Sequence, residues 1–223
     1  MWRDALASRL MPISFRTSEQ DVLLVVDVQN DFCPGGALPV PDGDRIVPLV
    51  NRLAGQFAHV VFTQDWHSPR HASFASAHQG RQPFETTALP YGAQVLWPDH
   101  CVQGTPGAEF HRDLDRARAE MIVRKGFRPG IDSYSAFYEN DQRTRTGLTG
   151  YLRDRGFHHV YLCGLAFDFC VKWSALDALR EGFTATVIED ATRAIDLNGS
   201  AAAARTEMTA AGVSLVESAR LES

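Results

Sequence analysis

The chain has 223 residues, 44% of them apolar and 22% charged, with a net charge of −5, a length and composition that fit one globular domain and exclude a disordered chain. An acidic balance without a long charge block leaves no footprint for nucleic acid, so the expected partner is a small molecule or a protein. The longest apolar runs are far below membrane-spanning length, Met1 to Asp4 lacks a signal-peptide core, and the four cysteines form no C-x-x-C pair, which predicts no membrane contact, reduced thiols and a cytoplasmic protein.

Residues 1 to about 20 show no sustained period and read as a peripheral arm. Asp21 to Asp27 is a continuous apolar run that ends in a carboxylate, the pattern of a strand buried on both faces. An irregular loop follows, and Ile46, Leu49, Val50 and Leu53 then form a helical stripe that stops near Gly55. His59 to Asp65 repeats the strand design. The stretch from about 68 to 108 is rich in Pro, Gly, His and aromatics without clear periodicity, and its length predicts the lid or wall of a site. Phe110 to Ala119 reads as a surface helix, Met121 to Lys125 as a third strand, Asp132 to Phe137 as a loop and Leu148 to Arg155 as a helix. The fourth strand, His159 to Cys163, feeds a run that breaks at Gly164 and restarts as a helix. That helix carries Cys170 near its start and continues to Gly182. Thr184 to Asp190 is a fifth strand, 199 to 210 an Ala-rich helix and Val213 to Val216 a last short strand.

Strands alternating with helices predict one α/β domain over 1–223, a mostly parallel sheet with helices on both faces in a Rossmann-like three-layer arrangement. Ligands of such sheets bind outside the carboxyl ends of the strands, where Asp27, Asp65, Lys125 and the Cys170 turn all fall. Cys170 near a helix N-terminus is a candidate nucleophile, because the positive end of the helix favours thiolate. A small buried hydrophobe is the competing reading. Asp27 can take the thiol proton and return it to a leaving amine, and Lys125 can supply the fixed positive charge that favours thiolate. Asp65, His67 and His100 form a two-histidine, one-carboxylate set with room for open coordination positions, suited to zinc, iron or manganese. His71 and His78 lie close by as alternative or supporting ligands, and a merely polar His-rich surface is the plain alternative.

Five blocks together resemble a known family: Asp27-Val-Gln-Asn-Asp-Phe32, Thr63-Gln-Asp-Trp-His67, Trp97-Pro-Asp-His-Cys-Val-Gln-Gly-Thr-Pro-Gly-Ala108, Lys125-Gly with Asp132-Ser-Tyr-Ser-Ala-Phe137, and Gly164-Leu-Ala-Phe-Asp-Phe-Cys170. The likeness is to the nicotinamidase branch of the isochorismatase-like cysteine hydrolases and spans about residues 21 to 216. It implies hydrolysis of nicotinamide to nicotinate and ammonia through a thioester on Cys170, with pyrazinamide as a second substrate. Asp27 would be the acid/base and Lys125 its cationic partner. Asp65, His67 and His100 would hold one divalent metal ion, zinc first, that takes the pyridine nitrogen. By the same resemblance Phe32 and Trp97 wall the ring, the Leu165-Ala166 peptide matches a cis bond of the family, and the backbone N–H groups of Ala166 and Cys170 form the oxyanion hole. Phe169 departs from relatives that carry histidine there. A homo-oligomer is compatible with all of this. The competing functions are another small-amide hydrolase of the same superfamily, a metal-water hydrolase with a structural Cys170, and a non-catalytic binding protein.

Overall fold

A computed structural model describes residues 15–222. Six strands, β2 (Asp21–Val26), β3 (His59–Asp65), β6 (Ala119–Lys125), β7 (His159–Leu165), β8 (Thr184–Arg193) and β9 (Ser214–Val216), form one parallel sheet in the order β6-β3-β2-β7-β8-β9. The predicted α/β class and parallel sheet are therefore those observed. Strand β1 (Phe15–Arg16) pairs in parallel with β10 (Leu221–Glu222), so the described end of the expected arm is tied down; residues 1–14 of that arm lie outside the described residues.

Every residue of β2 is buried, because the strand is central and covered on both faces. Alternate side chains feed two cores. Leu23, Val25, Val60 and Phe62 pack with Val50 and Leu53 of α1 (Val47–Ala54) on one face. Val22, Leu24, Val61 and Leu162 pack on the other, against α2 (Leu148–Asp154), α3 (Lys172–Arg180) and α4 (Ser200–Ala211). The chain runs outward from β2 to β3 and β6, then crosses back to β7, so the topological switch point lies between β2 and β7. Crevices at such points bind ligands. Gly164 lets the two strands close there, since a Cβ at its position would sit 2.7 Å from the Val26 nitrogen.

One expectation is corrected. Phe110 to Ala119 is not a helix: the Asn51 side chain donates to the Asp113 carbonyl at 2.8 Å and accepts the Asp115 N–H at 2.9 Å, while Asp115 caps the Ala117 N–H at 2.9 Å. These side chains take the backbone groups that a helical ladder needs. The stretch from 68 to 108, expected as a lid or wall, carries secondary structure of its own. It folds back in an antiparallel hairpin of β4 (Thr86–Leu89) and β5 (Gly92–Val95), whose short polar strands give no alternating signal. No helix among the described residues is long and apolar enough to cross a membrane.

Candidate active site

Asp27 follows the last residue of β2, and Lys125 ends β6 two strands away. Lys125 is fully buried, and its Nζ lies 2.8 Å from Asp27 Oδ2, contacts Asp65 Oδ1, donates to the Ser133 carbonyl at 2.9 Å and reaches Cys170 Sγ at 3.4 Å. One ammonium thus touches every member of the expected nucleophile cluster and one of the expected metal ligands. Cys170 itself lies in a five-residue π-helical turn, Phe167–Val171, that opens onto α3. Such turns recur at functional sites because they push a side chain out of the regular ladder. The Leu165–Ala166 peptide is cis, and Ala166 borders the pocket beside Cys170.

Burial pushes the Asp27 carboxyl up to about 6, against the pull of Lys125. Its Oδ1 accepts a hydrogen bond from Thr63 Oγ1 at 2.6 Å, whereas Oδ2, though close to Lys125, accepts no aligned hydrogen bond. That oxygen is the one that faces the Lys125 ammonium. Burial also drives the Cys170 thiol well above its ordinary value; Lys125 opposes this, and the Asp27 and Asp65 carboxylates add to it. This direction runs against the thiolate-favouring turn expected from the sequence, and loss of solvent is its largest cause. Lys125 stays protonated, since Asp27 and Asp65 more than offset its own burial.

Asp65, His67 and His100 have ligand atoms all within 4.8 Å of one another, every side chain buried. His67 Nε2 lies 3.6 Å and His100 Nε2 3.9 Å from the same oxygen, Asp65 Oδ2. Each ring has its other nitrogen against a carbonyl, His67 Nδ1 on Gly126 at 3.0 Å and His100 Nδ1 on Pro98 at 2.8 Å. Those carbonyls hold the proton on Nδ1 and leave Nε2 to coordinate. Burial lowers His100 to about 4, with His67 adding to the shift, so its imidazole is neutral as a ligand must be. For Asp65, burial alone would raise the carboxyl, but Lys125 and then His67 hold it well below the carboxylate range. This donor set fits a divalent ion. His71 does not join it, since its nitrogens face Ser73 Oγ and the Arg128 carbonyl, both at 2.8 Å; its ring instead packs on His67 with centroids 4.5 Å apart. His78 is likewise turned away, with Nε2 2.7 Å from the Ala72 carbonyl.

The two clusters face one narrow slot. It is lined by the rings of Phe32, Trp97, Tyr134 and Phe169, by Leu38 and Ile195, and by Asp65, His100, Asp132, Ala166 and Cys170. The aromatic walls brace one another edge to face: Trp97 and Phe169 centroids are 4.9 Å apart, and Tyr134 and Phe169 5.6 Å. Flat apolar surfaces beside a few polar groups suit an aromatic ring. Tyr134, Leu38 and Ile195 were not legible as site residues, because they come from loops without periodicity, and only the nearness of Tyr134 to the Asp132–Phe137 block gave a signal.

A family model described as the Isochorismatase domain matches residues 21–220. The nicotinamidase of Acinetobacter baylyi is 53% identical over 209 residues, covering 94% of this chain and 98% of its own. The structure of an Acinetobacter baumanii nicotinamidase/pyrazinamidase superposes with a TM-score of 0.90 at 57% identity, covering 91% of this chain and 98% of that one. The pyrazinamidase of Pyrococcus horikoshii in complex with zinc gives 0.73 at 39% identity, with 89% and 99% coverage. A parallel sheet whose switch point gathers Asp27, Lys125 and Cys170, matched along nearly its whole length, leaves one assignment: the chain belongs to the isochorismatase family.

Proposed function

We propose that this chain is an amidase that hydrolyses nicotinamide to nicotinate and ammonia, with pyrazinamide as a second substrate. The observation that carries the proposal is the single slot in which a buried Cys170–Asp27–Lys125 cluster meets aromatic walls and a two-histidine, one-carboxylate set. The names of the matched relatives point to the same reaction.

In the proposed cycle the Cys170 proton passes to Asp27 Oδ2 as sulfur attacks the amide carbon. Lys125 balances the charge left between sulfur and carboxylate, and the backbone N–H groups of Ala166 and Cys170 receive the developing oxyanion. Asp27 then returns its proton to the departing nitrogen, the C–N bond breaks and ammonia leaves a thioester on Cys170. Water attacks that thioester with Asp27 again as base, giving the carboxylate and restoring the thiol. Phe32, Trp97, Tyr134 and Phe169 clamp the ring and exclude water. Asp65, His67 and His100 would hold a divalent ion, zinc in first place with iron or manganese as alternatives, whose open position would orient the pyridine nitrogen. The four free, buried cysteines suit a reducing cytoplasm.

Ammonia release from nicotinamide and pyrazinamide, measured with and without prior treatment by a strong chelator, tests the proposal. Turnover of both amides that falls on metal removal and returns on adding Zn2+ is expected. Release of ammonia from other small amides but not from nicotinamide would refute the substrate assignment while leaving the family intact.

A further inference from the structure

Beside the three proposed ligands lies a buried carboxylate with no assigned task. Asp132 is 2% exposed, and its Oδ1 is 4.0 Å from His67 Nε2. Among the described residues no lysine or arginine pairs with it, and His67 is the basic side chain beside it. An unpaired buried carboxylate is costly unless a cation comes to it. The side chain is nonetheless held in place: Oδ1 accepts the Ser133 N–H at 2.8 Å and Oδ2 accepts Gln94 Nε2 at 2.7 Å.

Gln94 is the hub of that arrangement. It is 1% exposed on β5 and brings the hairpin down onto the site. Its Oε1 accepts from Tyr91 Oη at 3.0 Å and Asn140 Nδ2 at 3.2 Å, and its Nε2 also faces the Val95 carbonyl at 2.7 Å and Tyr134 Oη at 3.0 Å. A flipped amide would set its oxygen against Asp132, so these partners fix which end points at the carboxylate.

We propose that Asp132, held by Gln94, is a positioning residue for the divalent cation, supplying negative charge from just outside the three ligand atoms. The need for it follows from the charges. Asp65 already shares its charge with Lys125 through Oδ1, and an imidazole binds a metal only in its neutral form, so the three ligands alone offer the ion little net negative charge. Asp132 falls outside the set formed by Asp65, His67 and His100, and it groups instead with His67 and His71. With both nitrogens of His71 engaged, that second group is no separate ion site. Asp132 therefore acts on the ion held by the first set from the side of the ligating nitrogen, its Oδ1 lying 4.0 Å from His67 Nε2.

The inference rests on the metal assignment under the proposed function. Its test strips the full-length protein of metal and measures dissociation constants for Zn2+ and Mn2+ by competition with a chromophoric chelator, together with Tm of the stripped form. Wild-type protein that binds neither ion would sink the metal assignment itself; the remaining outcomes bear on Asp132 alone. D132N is expected to bind at least about tenfold more weakly. Its metal-free Tm should be no lower than wild type, since an unpaired buried charge has been removed. Q94L should shift affinity in the same direction, and D132E should recover part of the loss. D132N affinity within twofold of wild type overturns the inference. So does a lowered metal-free Tm in D132N accompanied by wild-type affinity in Q94L, the signature of a packing role. Should D132N fail to fold, wild-type affinity in Q94L overturns it on its own.

Discussion

Replacing Thr63 with valine isolates the proposed proton shuttle without touching any group that contacts substrate. Thr63 is fully buried; its Oγ1 donates to Asp27 Oδ1 at 2.6 Å and accepts the Asp27 N–H at 3.1 Å. Valine keeps the shape and deletes both bonds. A hydrogen bond to a charged group is worth about 1.5–3 kcal/mol, and one pKa unit corresponds to about 1.4 kcal/mol, so the Asp27 carboxyl should rise by about 1–2 units. The acid limb of kcat/KM for nicotinamide, read from ammonia release across pH, should move up by that amount relative to wild type. Stability gives a second readout with a defined sign. Burial places folded Asp27 at about 6 against an ordinary value of 3.8, so the folded state binds the proton more tightly. The resulting stabilisation is complete below about pH 4 and is lost as pH rises through about 6, a change of about 3 kcal/mol. In T63V the loss should continue to about pH 7–8, leaving the variant close to wild type at pH 5 and about 1.5–3 kcal/mol less stable at pH 8. An unmoved acid limb, or equal destabilisation at both pH values by denaturant unfolding, would refute the assignment of Asp27 as the titrating base.

Other perturbations separate the two halves of the site. Cys170→Ala should abolish ammonia release while elemental analysis finds wild-type metal content, since Cys170 is not among the three proposed ligands; residual turnover above about 1% would point to a metal-water hydrolase instead. Gly126→Ala should lower Tm and weaken metal binding together. Gly126 has φ +67°, and a Cβ there would sit 2.7 Å from His67 Nδ1, a clash with strain of about 1–3 kcal/mol. Phe169→His removes the edge contact with Trp97 but leaves the thiol cluster alone. An aromatic pair of this kind is worth about 0.5–1.5 kcal/mol, so KM should rise about 2–10-fold with kcat little changed. A large fall in kcat would show that position 169 acts on the chemistry.

The strands were legible because a central parallel strand is apolar throughout, and β2 and β7 read as such from Asp21 and His159 onward. Asp27 was legible for the same reason, being the first polar group after an apolar run, whereas Asp65 and Lys125 follow other polar residues at their strand ends. The false helix at Phe110 to Ala119 failed on side-chain bonds from Asn51, a residue more than sixty positions away, which no local pattern contains. Gln94 was invisible because one buried glutamine on a short hairpin has no periodicity to betray it. The deepest difference concerns charge. In sequence, Asp27–Lys125–Cys170 and Asp65–His67–His100 stand as two separate constellations, yet Lys125 joins them by touching Asp27, Asp65 and Cys170 at once. One ammonium buried among three groups that can each turn negative cannot satisfy all three. Asp65 is held ionised by Lys125 and His67, and Asp27 is lifted towards neutrality by burial, which leaves the thiol to keep its proton. In the proposed cycle, deprotonation of Cys170 is then coupled to attack: sulfur would release its proton to Asp27 as its new charge passes into the amide, so no free thiolate would have to survive in the slot between turnovers.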